Sequence, residues 1–226
     1  MSKFIPNLLT LLNLISGCLG IVMVFDKGAH EGLLFILIAV FFDFFDGFSA
    51  RLLKVKSDMG KELDSLADMV SFGILPAIIM FHLLKNSSDI FWLPYISFLL
   101  AAFSALRLAK FNIDERQAEV FYGLPTPSNA LFIASLSFIN FVQTPVYLVI
   151  ITLLFSLLMV VDIPLFALKF KSFRWQGNEV RMLFLLFSLV LISFLQVAAI
   201  PIIICLYVLT SVILNVFRVK DSGNKQ

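Results

Sequence analysis

Asp43, Asp46, Asp64 and Asp68 are the residues of this 226-residue chain whose types and spacing can do chemistry. They lie in "DFFDGFSARLLKVKSDMGKELDSLAD" (43–68), between the apolar runs "GLLFILIAVFF" and "MVSFGILPAIIMFHLL". A carboxylate inside a spanning helix costs roughly 2.5–3.5 kcal/mol on insertion scales, so it is expected to face the bundle interior and to have a partner. Asp43 and Asp46 are spaced i,i+3, and Asp64 and Asp68 i,i+4, so each pair occupies one helical face. The basic turn between them, "RLLKVKSDMG", reads as chain that leaves one helix and climbs the next. Both pairs then meet about a turn or two inside that membrane surface. Four carboxylates repel, and hard divalent cations such as Mg²⁺, Mn²⁺ or Ca²⁺ relieve the repulsion. Two helices that each give two aspartates can hold two ions, an arrangement that serves displacement at phosphorus. No His or Cys accompanies the cluster, so zinc is not expected. Gly47 and Ala50 share the stripe of Asp43 and Asp46, and Gly60 that of Asp64 and Asp68; small residues there let a helix or a ligand approach closely. Arg51 and Lys61 could counter a diphosphate.

The elements that position these residues follow from composition. The chain is 60% hydrophobic, holds 26 Phe and is 14% charged. A soluble domain carries about a quarter charged residues. Apolar runs near the roughly 20 residues that span a bilayer recur along the whole length. The fold class is therefore all-α: a single polytopic membrane domain over 1–226. Helices are expected at about 6–25, 32–53, 61–84, 91–110, 127–143, 145–163, 182–199 and 201–217. The first run has one early cation, Lys3, and no clear small-residue cleavage site, so it reads as a retained helix rather than a signal peptide. Cys18 and Cys205 read as buried, unpaired small hydrophobes.

Eight helices put both termini on one side. Of the seventeen Lys and Arg, Lys27 and Lys85 fall on one side and the other fifteen on the opposite one, Arg116, Lys169, Lys171 and Arg174 among them. The positive-inside rule makes that second side, with the aspartates, cytoplasmic. The expected location is a prokaryotic inner membrane, with membrane lipid as a partner and no nucleic acid.

The pattern Asp43-x-x-Asp46-Gly47-x-x-Ala50-Arg51, then eight residues, then Gly60-x-x-x-Asp64-x-x-x-Asp68 resembles the signature of the CDP-alcohol phosphatidyltransferases, with every position filled. The resemblance implies transfer of a phospho-alcohol from a CDP-linked lipid to an acceptor hydroxyl, with release of CMP. It implies a six-helix core, here with two helices more, and an active site open to the cytoplasm. Asp43, Asp46, Asp64 and Asp68 would hold a binuclear site, two Mg²⁺ or Mn²⁺ with Ca²⁺ as the alternative. Asp68 would also be the general base. Gly47 and Ala50 would line the donor's cytidine and Arg51 would meet its phosphates; Gly60 and Lys61 are further candidate contacts of the CDP-diacylglycerol. Asn7 and Thr10, in "PNLLT", are similar to the family's first-helix motif near the nucleotide; capping is the other reading of Asn7. A homodimer is the expected assembly.

The segments "DSLADMVSFGILPA" (64–77), "RLAKFN" (107–112) and "FYGLPTPSNA" (121–130) resemble the phosphatidylserine synthase branch of that family. The substrates expected from this are CDP-diacylglycerol and L-serine. Arg107, Lys110, Asn112 and Ser71 are the candidate serine contacts. An arginine fork suits a carboxylate, although Arg107 and Lys110 also read as positive-inside anchors, and Ser71 as a back-bond to its own helix. Two other readings stay open: another enzyme of the family, chiefly a phosphatidylglycerophosphate synthase, and an ion transporter with an intramembrane aspartate cluster. The helices in 145–217 carry no specific motif and read as scaffold, dimer contact or lipid-facing surface.

Overall fold

A computed structural model describes residues 4–55, 57–114, 121–165 and 178–223. Lys3, Lys56, Arg116, Lys169, Lys171, Arg174 and Lys225 lie outside the described residues.

Helix α1 (Phe4–Lys27) and helix α2 (Glu31–Leu52) are joined by Gly28–His30 and pack along each other. The inner face of α1 is small and polar: Pro6, Thr10, Asn13, Ser16, Gly17, Gly20 and Val24 are buried. Its outer face is Phe4, Leu8, Leu11, Ile15, Leu19 and Val22, all exposed. That polarity is the reverse of a soluble helix. It suits a bundle whose apolar exterior meets lipid and whose small residues let helices close up. Phe41, Phe44, Phe45 and Phe48 of α2 likewise point outward and form a ladder of ring contacts. Cys18 and Cys205 are free but exposed, a correction to their expected burial: both sit on outward helix faces.

Helix α3 (Asp58–Asp68) starts at Ser57, whose hydroxyl accepts a hydrogen bond from the Gly60 amide at 3.0 Å. It continues without a break through a π-helical segment, Met69–Ile74, into α4 (Leu75–Ser87). The expected single helix over 61–84 is therefore a 30-residue helix, 58–87, with a π segment in its middle. Pro76 supplies the local reason. It has no amide hydrogen to give to the preceding turn, and its ring displaces the carbonyl there. The Leu75 amide bonds instead to the Val70 carbonyl, five residues back. This is the central helix of the bundle and the most buried of the long apolar spans among the described residues. Phe72, Leu75, Ile79 and Met80 form the middle of the core, with Ile36, Leu100, Ile133 and Leu148 around them.

A 3₁₀ turn, Leu93–Ser97, leads into α5 (Phe98–Ile113). Strand β1 (Phe121–Tyr122) follows, then α6 (Thr126–Ser135), α7 (Pro145–Val160) and β2 (Pro164–Leu165). Among the described residues the two strands make one two-residue antiparallel pairing, Phe121 with Leu165 and Tyr122 with Pro164. Gly123, at φ +76°, lies against the Met159 carbonyl, where a side chain would not fit. Helices α8 (Glu179–Leu195) and α9 (Ala199–Gly223) complete the chain, separated by a 3₁₀ turn at Gln196–Ala198.

Among the described residues, five segments are long and apolar enough to cross a membrane: Phe4–Lys27, Glu31–Leu52, Asp58–Ser87, Leu93–Ile113 and Glu179–Asn215. Helix α7 is apolar but shorter, and the expected span 127–143 is α6 followed by 3₁₀ turns. Lys27 and Lys85 stand in the last turns of α1 and α4, and Arg51 and Lys110 in those of α2 and α5.

Candidate active site

The aspartates come together where α2 ends and α3 rises. Carboxylate oxygens of Asp43, Asp64 and Asp68 all lie within 4.8 Å of one another. Asp46 stands beside these three. Its Oδ2 accepts the Thr10 hydroxyl at 2.7 Å, which ties α2 to α1. Asp68 is 8% exposed, and its Oδ1 accepts Asn13 Nδ2 at 3.0 Å. Asp64 Oδ1 is buried without a hydrogen-bond partner. Among the described residues no cation pairs with any of the four.

A cleft of about 800 Å³ adjoins the cluster and shares Asp46 and Asp64 with it. Asn7, Thr10, Gly47, Ala50, Gly60 and Lys61 line it, so three helices contribute one wall each. A Cβ built on Gly47 would meet nothing within 4 Å; the glycine opens onto free space. At Gly60 the added carbon would stand 2.9 Å from Ser57 Oγ and 3.4 Å from Asn7 Oδ1, so this small residue is what lets α3 start close to α1. Asn7 lies inside α1 and does not cap it. Arg51 is exposed, with its Nε donating to the Gly47 carbonyl at 3.0 Å. It is not among the residues that line the cleft.

The expected acceptor residues divide. Arg107 is 6% exposed and within electrostatic reach of Asp68. Its Nε donates to the Leu124 carbonyl at 2.9 Å, and its guanidinium sits over the Phe111 ring. Ser71 is fully buried in the π segment; its hydroxyl donates to the Asn13 carbonyl at 2.9 Å, across to α1 rather than back along its own helix. Gly17 is what permits this approach, because a Cβ there would stand 2.8 Å from Ser71 Cα. Lys110 pairs with Asp162 at 2.6 Å, beyond the end of α7. Asn112 donates to Ser65 Oγ at 2.8 Å and its carbonyl accepts Lys61 Nζ at 2.6 Å, which pins the end of α5 to α3.

Asn13 was not among the residues expected to matter. The signal was present: an amide in an apolar helix, three residues after Thr10 and on the same face.

The sequence profile of the CDP-alcohol phosphatidyltransferases matches residues 3–168. The chain belongs to that family. It is 38% identical over 181 residues to the CDP-diacylglycerol–serine O-phosphatidyltransferase of Bacillus subtilis (strain 168), covering 78% of this chain and 95% of that protein. It is 35% identical over 159 residues to the protein of the same name from Methanocaldococcus jannaschii, covering 70% and 72% of the two chains. An archaetidylserine synthase of Methanothermobacter thermautotrophicus is 36% identical over 134 residues, covering 58% and 56%.

CDP-alcohol phosphatidyltransferases depend on divalent metal, and the aspartate cluster could bind one. The residues present fit such an ion. The donors are all hard oxygens, three of them already gathered, and the unpartnered Asp64 oxygen is a buried acceptor that a cation would satisfy.

Proposed function

We propose that this chain transfers the phosphatidyl group of CDP-diacylglycerol to the hydroxyl of L-serine, forming phosphatidylserine and CMP. The carrying observation is the set of converged carboxylates of Asp43, Asp64 and Asp68 beside a cleft walled by the family's small residues. The names of the relatives with which the chain shares 35–38% identity support serine as acceptor.

The donor's cytidine diphosphate occupies the cleft against Gly47, Ala50 and Gly60, with Asn7 and Thr10 on the opposite wall. Arg51 and Lys61 balance its phosphates from the rim. The acyl chains stay in the bilayer. Asp43, Asp46, Asp64 and Asp68 would hold two divalent ions, Mg²⁺ or Mn²⁺, with Ca²⁺ the alternative. Such ions, when bound, neutralise charge on the phosphate oxygens. Asp68, oriented by Asn13, takes the proton of the serine hydroxyl. The freed oxygen attacks the phosphorus that carries the diacylglycerol, and the bond from that phosphorus to the CMP oxygen breaks. Arg107 holds the serine carboxylate through the guanidinium nitrogens that do not bond to Leu124. Lys110, Asn112 and Ser71 would serve the acceptor only by exchanging their present partners.

The cleft and both termini are assigned to the cytoplasmic side by the positive-inside rule, in a prokaryotic inner membrane. A homodimer is the assembly in this reading. Family membership sets the ion transporter aside. The second reading is a family enzyme with glycerol 3-phosphate as acceptor. The deciding experiment is a panel of acceptors offered to the purified chain with CDP-diacylglycerol and Mg²⁺ or Mn²⁺. CMP release that needs L-serine, with phosphatidylserine as the lipid product, is the expected result. A preference for glycerol 3-phosphate would overturn the assignment.

A further inference from the structure

Asn13 is fully buried in α1 and touches the candidate general base directly: its Nδ2 donates to Asp68 Oδ1 at 3.0 Å. A carboxylate can only accept, so the amide must turn Nδ2 toward Asp68 and Oδ1 away from it. That leaves Oδ1 as a buried acceptor with no hydrogen-bond partner. The backbone of the same residue is held in place, because Ser71 donates to its carbonyl at 2.9 Å and Gly17 lets that contact close. The amide is thus fixed, with one end on Asp68 and the other unmatched. A buried unmatched acceptor is destabilising, and in native structures such a group calls for an explanation. Asn129 and Thr126 on α6 also hold unpartnered buried polar atoms, but neither is bonded to a residue of the aspartate cluster.

The surroundings indicate what the missing partner is. It must donate, because Oδ1 can only accept. In the serine-acceptor reading, the donor that the substrate carries beside its attacking hydroxyl is the α-ammonium. We propose that Asn13 is an acceptor-specificity residue whose Oδ1 accepts a hydrogen bond from the α-ammonium of the amino-alcohol substrate, while its Nδ2 holds the base that takes the hydroxyl proton. In serine the hydroxyl and the amine sit on neighbouring carbons, so one amide can serve both ends. With Arg107 on the carboxylate, serine is read at three points: hydroxyl by Asp68, ammonium by Asn13 and carboxylate by Arg107. The proposal rests on the serine-acceptor reading and adds the residue that would reject a hydroxy acid lacking the amine.

The test uses the full chain in detergent with CDP-diacylglycerol and Mg²⁺, and compares L-serine with 3-hydroxypropionate, which keeps the hydroxyl and carboxylate but has no amine. Wild type is expected to favour serine by at least about 100-fold in kcat/KM, since a site built to bond a polar group rejects the analogue without it. Asn13→Leu removes both ends of the amide. Turnover should fall with either acceptor, because Asp68 loses its guide, but the preference for serine should shrink to within about tenfold. Equal losses that leave the preference intact would show that Asn13 acts only through Asp68, and would overturn the proposal. If the leucine variant does not fold, wild type still decides. 3-Hydroxypropionate that competes with serine at a comparable concentration sinks the idea, and failure to compete supports it. CMP release that serine does not accelerate removes the acceptor reading itself, and the proposal with it.

Discussion

The hydroxyl of Thr10 donates to Asp46 Oδ2 at 2.7 Å, and its single hydrogen leaves the Pro6 carbonyl, 3.1 Å away, as the weaker acceptor. A residue of α1 thereby fixes a carboxylate of α2 in the wall shared by the cleft and the cluster. Losing a partner that orients a metal ligand typically costs 10–100-fold in metal affinity or activity. Thr10→Val keeps the shape and removes the bond. The concentration of Mg²⁺ or Mn²⁺ that half-saturates CMP release should rise by roughly that factor, and Thr10→Ser should restore it. An unchanged midpoint in the valine variant would take Asp46 out of the metal site.

Chelation with EDTA should abolish transfer, and Mg²⁺ or Mn²⁺ should restore it. Asp43→Asn and Asp64→Asn should each lose nearly all activity, since each removes a charge from one cluster. Asp68→Asn removes the proton acceptor, and general-base help is typically worth about 10²–10⁴-fold. Its turnover should fall by at least about 100-fold while CDP-diacylglycerol still binds. Asp26, exposed near the far end of α1, is the control. If Asp26→Asn is as damaging as Asp68→Asn, the site has been misplaced.

Arg107→Lys keeps the charge and loses the fork. If the guanidinium holds the serine carboxylate, KM for serine should rise at least about tenfold, with KM for CDP-diacylglycerol little changed. If Arg107 serves only to anchor α5 on the Leu124 carbonyl, melting temperature should fall and the serine constant should not move. Serinol, which lacks the carboxylate, should discriminate less between wild type and variant than serine does.

Two glycines should respond in opposite ways. Alanine in place of glycine ordinarily stabilises a helix by up to about 1 kcal/mol. At Gly17 the new methyl would collide with Ser71 Oγ and Cα, so Gly17→Ala should lower the melting temperature in detergent by about 5 °C or more. At Gly47 an added Cβ meets nothing within 4 Å. Gly47→Val should melt like wild type yet bind CDP-diacylglycerol at least about tenfold more weakly, because the added carbons project into the cleft. Normal donor binding by that variant would take the nucleotide out of this cleft.

The aspartates were legible because two rules act on them at once: helical spacing sets their face, and the cost of a membrane carboxylate demands a purpose. The small residues beside them were legible for the same reason. Asn13 went unread because a lone amide in an apolar helix is cheap enough to pass as packing, and its partner is 55 residues away. Lys110 and Lys61 show what spacing does not announce: besides the acceptor and phosphate roles expected of them, Lys110 pairs with Asp162, and Lys61 bonds the Asn112 carbonyl while lining the cleft. The long apolar helices were visible from hydropathy, but the break-up of 127–143 into a short helix and 3₁₀ turns was not, and the π segment depends on how Pro76 is absorbed within a packed helix.

That segment also separates two registers. Each residue of an α-helix advances about 100° around the axis. Closing the Leu75 amide on Val70 instead of its α-helical partner changes the phase of everything that follows relative to a regular helix. The carboxylates of α3 face α1 and α2 in one phase, and Leu75, Ile79 and Met80 fill the core in another. Deleting a single residue from 69–74 would favour a more regular helix and turn the two halves out of step. Either the aspartates would leave the cluster or Leu75, Ile79 and Met80 would leave the core. The π segment is thus a phase joint, which lets one continuous rod carry both a polar and an apolar face aimed independently.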